Sequence, residues 1–159
     1  MTPEELVRKV TAITGYTHAA GVEVVYAEPG YVTLSLVKKP ELLQFNGFFH
    51  GGVVSGLADH AAGAAATTAL PAGKIAVTVD LHVNFLAPAK GQTLFAKART
   101  LQVGGTICVV AVELETEPGG ASALCGGPCH PAGGGHATAE IKKRPAGRFS
   151  LEHRKNHFL

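Results

Sequence analysis

Apolar and polar positions alternate along most of this chain, and the period of the alternation changes several times. In PEELVRKVTAIT, residues 3–14, Leu6, Val10 and Ile13 recur at the spacing of one helix face. Thr2 suits the N-cap of that helix, Pro3 its first turn and Gly15 its stop. From Gly21 the period falls to two. GVEVVYAEPGYVTLSLVKK predicts a hairpin whose β-branched runs flank Glu28, Pro29 and Gly30, with proline and glycine supplying the turn dihedrals. Residues 39–49 carry no period and read as a loop. Residues 51–69 predict a second helix, rich in alanine, which Pro71 and Gly73 stop.

Three strand-like runs follow: KIAVTVDLHVNFLAP, TLFAKARTLQV and TICVVAVELETE. In the first, Val77, Val79, Leu81, Val83 and Phe85 are expected to face one way, and Thr78, Asp80, His82 and Asn84 the other. Gly104 and Gly105 predict a hairpin between the last two runs. Residues 118–136 are glycine- and proline-rich and read as a flexible insert. HATAEIKKR resumes the strand pattern, so the sheet is expected to continue near Thr138. The order of helix, hairpin, helix and hairpin-linked strands predicts an α+β fold with an antiparallel sheet. The small side chains of the Ala/Gly-rich helix permit that sheet to curl around it. The expected organisation is one domain over 1–144 and a polar tail over 145–159.

Composition narrows the function classes. A net charge of +2 is too weak to argue for nucleic acid. No run of about 18 apolar residues predicts a membrane span. The first residues carry acids and no long apolar stretch, unlike a secretion signal. Three cysteines, an odd number, argue against a disulfide framework, so cytoplasm is the expected setting.

The chemistry concentrates in FNGFFHGGVVSGLADHAAG, residues 45–63. Asp59 has Ser55 and Gly56 one turn before it, Ala62 and Gly63 one turn after, and no lysine or arginine at those spacings. An acid without a paired cation, beside room for a ligand, is a candidate general base. It would otherwise be a solvated acid on an outer helix face. His50 comes nine residues earlier. On one helix the two would point to opposite sides, roughly 13 Å apart. They can share a site only if a second copy brings its helix alongside. Gly51 and Gly52 would form the first turn, whose free N–H groups can hold a developing oxyanion.

GFFHGGVVSGLADHAAGAAA followed by VTVDLHVNFLAPAKG resembles the hotdog-fold thioesterase superfamily, in its PaaI-like acyl-CoA thioesterase branch. The resemblance covers about residues 20–117. It implies a curved antiparallel sheet around the central helix, a homodimer often paired into a tetramer, and hydrolysis of acyl-CoA. Coenzyme A is then part of the substrate, and no further cofactor is implied. Asp59 matches the family's catalytic carboxylate, Gly51 the donor to the thioester carbonyl, His50 a positioning histidine and Thr78 a residue that orients water. The resemblance also places Gly52 and Phe85 along the substrate and Val103 and Gly104 near its nucleotide end. Six residues before the histidine many members carry asparagine. Here Gln44 stands there, with Asn46 nearer, and either amide can serve.

Two rivals compete with an enzyme of this kind. A non-catalytic acyl-CoA sensor uses the same scaffold, and a hotdog hydratase keeps its Asp and His close together on one helix, unlike this spacing. Cys125, Cys129, His130 and His136 lack a second matching metal-ligand pair, so no metal is expected. His60 reads as a structural neighbour of Asp59. Lys142, Lys143, Arg144 and Arg148 read as solvated charge.

Overall fold

The computed structural model describes residues 1–117 and, as backbone, residues 124–125 and 136–145. Helix α1 spans Pro3–Thr11. Its capping box is complete: the Glu5 N–H donates to Thr2 Oγ1 at 3.2 Å, and the Thr2 N–H to Glu5 Oε2 at 2.7 Å. The helix ends at Thr11, three residues short of the expected end at residue 14, because Thr17 donates its hydroxyl to the Thr11 carbonyl and closes the last turn from outside. A short helix α2, Tyr16–Ala20, follows where none was expected. The apolar face also differs from the expectation. Val7 and Thr11 are the buried residues of α1, while Val10 and Ile13 stay exposed.

Strands β1 (Val22–Glu28) and β2 (Tyr31–Val37) form the expected hairpin. Its two-residue turn places Gly30 at φ +79°, where a side chain would be strained. Helix α3 spans Gly51–Thr68. Strands β3 (Lys74–His82), β5 (Thr93–Val103) and β6 (Ile107–Glu117) match the three predicted runs, with β4 reduced to Asn84–Phe85. Strand β7, Leu124–Cys125, pairs with β4 and falls inside the segment expected to be a loop. Strand β8, His136–Pro145, resumes the sheet as predicted and lies between β6 and β3. The remaining residues of 118–136, and the tail beyond Pro145, lie outside the described residues, as do the side chains of Cys125, Cys129, His130 and His136.

The six-stranded antiparallel sheet runs β1-β2-β5-β6-β8-β3 and curves around α3. The helix turns Val54, Leu57, Ala58, Ala61, Ala62, Ala65 and Ala66 into the sheet. Facing them are Leu34 and Leu36 of β2, Ala96 and Ala98 of β5, and Val110 and Val112 of β6, each at most 1% exposed. Alanine on both surfaces brings backbone close to backbone, which lets a curved sheet hold one helix in its hollow.

Strand β3 corrects the expected alternation. Its pairing with β8 shifts register between Thr78 and Asp80. One extra residue at such a bulge swaps the faces beyond it. Ala76, Leu81 and Val83 pack on the core, whereas Val77 and Val79 are 38% and 52% exposed. Thr78 consequently points toward α3 instead of sharing an outer face with Asp80. Among the described residues, no helix is long and apolar enough to cross a membrane.

Candidate active site

Two clefts flank α3, and the candidate residues divide between them. The first lies between α1, α3 and β3. Asp59 and Thr78 form part of its wall, beside His60. The Thr78 hydroxyl donates to Asp59 Oδ1 at 2.5 Å. Asp59 is half-buried and, among the described residues, is the only carboxylate lining this cleft. Among the same residues, its second oxygen has no hydrogen-bond partner.

His60 points toward α1, where its Nε2 and the Thr11 hydroxyl share a hydrogen bond of 2.9 Å. The structural role expected for it thus takes a definite form, a tie between α1 and α3. Burial lowers its pKa, and the neighbouring Asp59 carboxylate partly opposes that shift. A lowered folded-state pKa gives stability that is complete above the unfolded value of about 6.5. That stability is lost as pH falls through this value toward the folded pKa. Tm should therefore fall as pH drops below about 6.5, and fall less in His60→Gln, which has no ionisable ring. Equal slopes in thermal melts of the two proteins would remove His60 as the source.

The second cleft opens at the N-terminus of α3. Gln44, Asn46, Gly51 and Phe85 line it, with Phe48 and Phe49. His50 is the N-cap of α3, and its Nδ1 accepts the Gly52 N–H at 2.9 Å. A nitrogen that accepts is unprotonated, so the neutral ring carries its hydrogen on Nε2, at the far side of the imidazole. The Gly52 N–H, spent on this cap, is not free for a substrate. The Gly51 N–H has no acceptor among the described residues. A Cβ at Gly51 would lie 3.4 Å from Phe85 Cζ, so glycine keeps the approach to this N–H open beside the ring.

The loop before α3 positions both amides. A bridge between Leu43 and Phe49 closes it. The Gln44 N–H donates to the Phe48 carbonyl at 2.9 Å, and Gln44 Oε1 accepts the Asn46 N–H at 2.5 Å. The Gln44 oxygen is thus spent within the loop, leaving its NH2 group to donate. Val103 ends β5 and Gly104 opens the β5–β6 turn, and neither lines these clefts. The sequence reading did not single out Thr11, because its partner His60 is 49 positions away.

Comparison with known proteins places this geometry in a family. The profile of the thioesterase superfamily matches residues 46–123, a span that begins at Asn46 and includes Asp59 and Thr78. A protein of Halobacterium salinarum named as an esterase is 36% identical over 102 residues, covering 60% of this chain and 66% of that one. One of Saccharolobus solfataricus, also named as an esterase, is 30% identical over 123 residues, covering 76% of this chain and 85% of that one. The 1,4-dihydroxy-2-naphthoyl-CoA hydrolase of Listeria monocytogenes is 27% identical, covering 65% and 84% of the two chains. Among solved structures, a thioesterase family protein of Silicibacter pomeroyi superposes with a TM-score of 0.78 at 25% identity, covering 90% of this chain and 98% of that one. The PaaI protein of E. coli, at 19% identity and a TM-score of 0.72, covering 89% and 94%, shares the fold. With the motif on α3, the wrapped sheet and these relatives in agreement, the chain belongs to the thioesterase superfamily, a hotdog-fold family of thioester hydrolases.

Proposed function

We propose that the protein is a cytoplasmic acyl-CoA thioesterase, a homodimer with composite active sites, two such dimers pairing into a tetramer. The observation that carries this reading is the division of one chain's chemistry between two clefts. Asp59 and Thr78 line one, and Gly51 and Phe85 line the other, where His50 caps the helix. A two-fold axis beside α3 would join the acid half of each copy to the donor half of its partner. Strand β3 favours such an axis. It is one of the two edges of the described sheet, and Ile75, Val77 and Val79 are partly exposed along it.

In the joined site, Asp59 takes a proton from water as the water oxygen attacks the thioester carbonyl carbon. The carbonyl electron pair moves onto oxygen, where the partner copy's first-turn N–H and the outer N–H of its imidazole hold it. Collapse of this intermediate breaks the C–S bond. The thiolate of coenzyme A leaves with the proton from Asp59, and the acid remains. In the alternative route Asp59 attacks the carbonyl carbon and the C–S bond breaks, releasing the coenzyme A thiolate and leaving a mixed anhydride. Water then hydrolyses the anhydride, freeing the acid and restoring the Asp59 carboxylate. Neither route uses a metal or redox cofactor. Gln44 and Asn46 are the amides at the thioester, and Gly52 and Phe85 line the path of the pantetheine arm. Val103 and Gly104 stay assigned to the nucleotide end. The test is a panel of aryl-, short- and long-chain acyl-CoAs with detection of free thiol. Turnover of none of them would sink the reading.

Thr78 has a measurable part in it. Its hydroxyl holds one carboxylate oxygen, which leaves the other to take the proton from water. A hydrogen bond to a charged group contributes about 1.5–3 kcal/mol, so Thr78→Val should lower kcat by roughly tenfold or more. KM should move little. Unchanged kcat would show that Asp59 needs no such partner.

A further inference from the structure

We infer that the cleft between α1, α3 and β3 is the acyl chamber, that it takes an uncharged apolar acyl group of medium length, and that Gly63 sets its depth. The inference rests on the thioesterase reading and goes past it to the substrate class. The cleft encloses about 550 Å³, within the range of small-molecule sites. Asp59 and Thr78 stand at one end and Thr67 and Thr68 at the other. Eight residues of helix separate Asp59 from Thr67, about 12 Å along the axis. That is the reach of a medium-length acyl chain whose carbonyl carbon sits at Asp59.

The walls decide the chemistry of the occupant. Leu6, Val10 and Ile13 of α1 line the cleft, although Val10 and Ile13 are 46% and 60% exposed. The stripe that sequence periodicity placed on one helix face therefore lines this space. The polar side chains of the cleft are already engaged within the chain. Thr67 accepts the Ala76 N–H at 3.0 Å. Thr68 donates to the Ala65 carbonyl and accepts the Gly30 N–H. His60 is held by Thr11, and Thr78 by Asp59. A hydroxyl or carboxylate on the acyl group would lose its water there and find few partners, a cost that an alkyl chain avoids.

Gly63 lies one turn beyond Asp59 in the same wall. A Cβ built on it meets no atom within 4 Å, so the absent side chain is open cavity. A larger residue would fill the chamber without displacing the core, and would raise helix propensity as well.

The experiment compares kcat/KM for octanoyl-CoA, succinyl-CoA and acetyl-CoA in the parent, Gly63→Leu and Val10→Ser. In the parent, octanoyl-CoA should exceed both others by about tenfold or more. Gly63→Leu should lower the octanoyl-to-acetyl ratio at least about tenfold, since pockets discriminate at roughly this level per methylene. Val10→Ser should lower the ratio in the same direction while Tm reports that α1 stays docked. A parent that prefers octanoyl-CoA, with the ratio reduced in both variants, supports the assignment. A parent without that preference, or a ratio unmoved in both folded variants, overturns it while leaving acyl-CoA hydrolysis intact. A parent that hydrolyses no acyl-CoA overturns the thioesterase reading and this inference with it.

Discussion

Asp59→Asn should lower kcat for acyl-CoA hydrolysis at least about a hundredfold, the size of a general-base contribution. The substitution keeps the shape of the side chain. Its amide oxygen can still accept the Thr78 hydroxyl bond, now 2.5 Å to Oδ1. Ser55, Gly56, Ala62 and Gly63 around it offer no side chain large enough to clash. The fold should therefore survive, and Tm and oligomer size serve as controls. What asparagine cannot do is take a proton from water or attack a carbonyl. The loss should thus appear in kcat, with KM close to the parent value, because substrate binding rests on the apolar walls and on the donor half of the site. A folded Asp59→Asn protein with undiminished kcat would transfer the catalytic role to another group. His60 would be the next candidate, but its ring is turned toward Thr11.

The sequence carried the parts of this structure that obey a local period. Helix α3 was legible because its segment is rich in alanine and stops before Pro71 and Gly73, and its start because His50, Gly51 and Gly52 form a recognisable entry. The hairpins were legible because Pro29–Gly30 and Gly104–Gly105 sit between alternating runs. What stayed hidden depended on distant partners. The end of α1 is set by the Thr17 hydroxyl, and nothing within the helix announces it. The reversal of faces along β3 comes from a bulge against β8, a strand more than 50 residues later in the chain. That bulge brings Thr78 to Asp59 and leaves Val77 and Val79 outside. The candidate site was legible as a set of residue types through resemblance. Its division into two clefts was foreshadowed by helix geometry, since nine residues carry His50 and Asp59 to opposite sides. The use of the Gly52 N–H as the cap of its own helix was not legible, because the imidazole must fold back to reach it.

Mixing two inactive variants should restore activity if the site is shared. His50→Ser keeps a side chain that caps helices well, so α3 retains its start. It removes the outer imidazole N–H, and loss of one oxyanion donor costs about a hundredfold or more. Asp59→Asn removes the acid half. Each homodimer then carries two defective sites. In a mixed dimer, one composite site combines both lesions and the other contains neither. Random exchange makes about half of the dimers mixed, each with one intact site of two, so roughly a quarter of the parent activity should return. A site built within one chain predicts the opposite, since every copy in the mixture would still carry a lesion. Exchange must be demonstrated independently, by native mass spectrometry of chains that differ in mass. Mixed dimers without recovered activity would confine the site to a single chain. The separation between the Asp59 cleft and the His50 end of α3 would then need a movement within the protomer to close it.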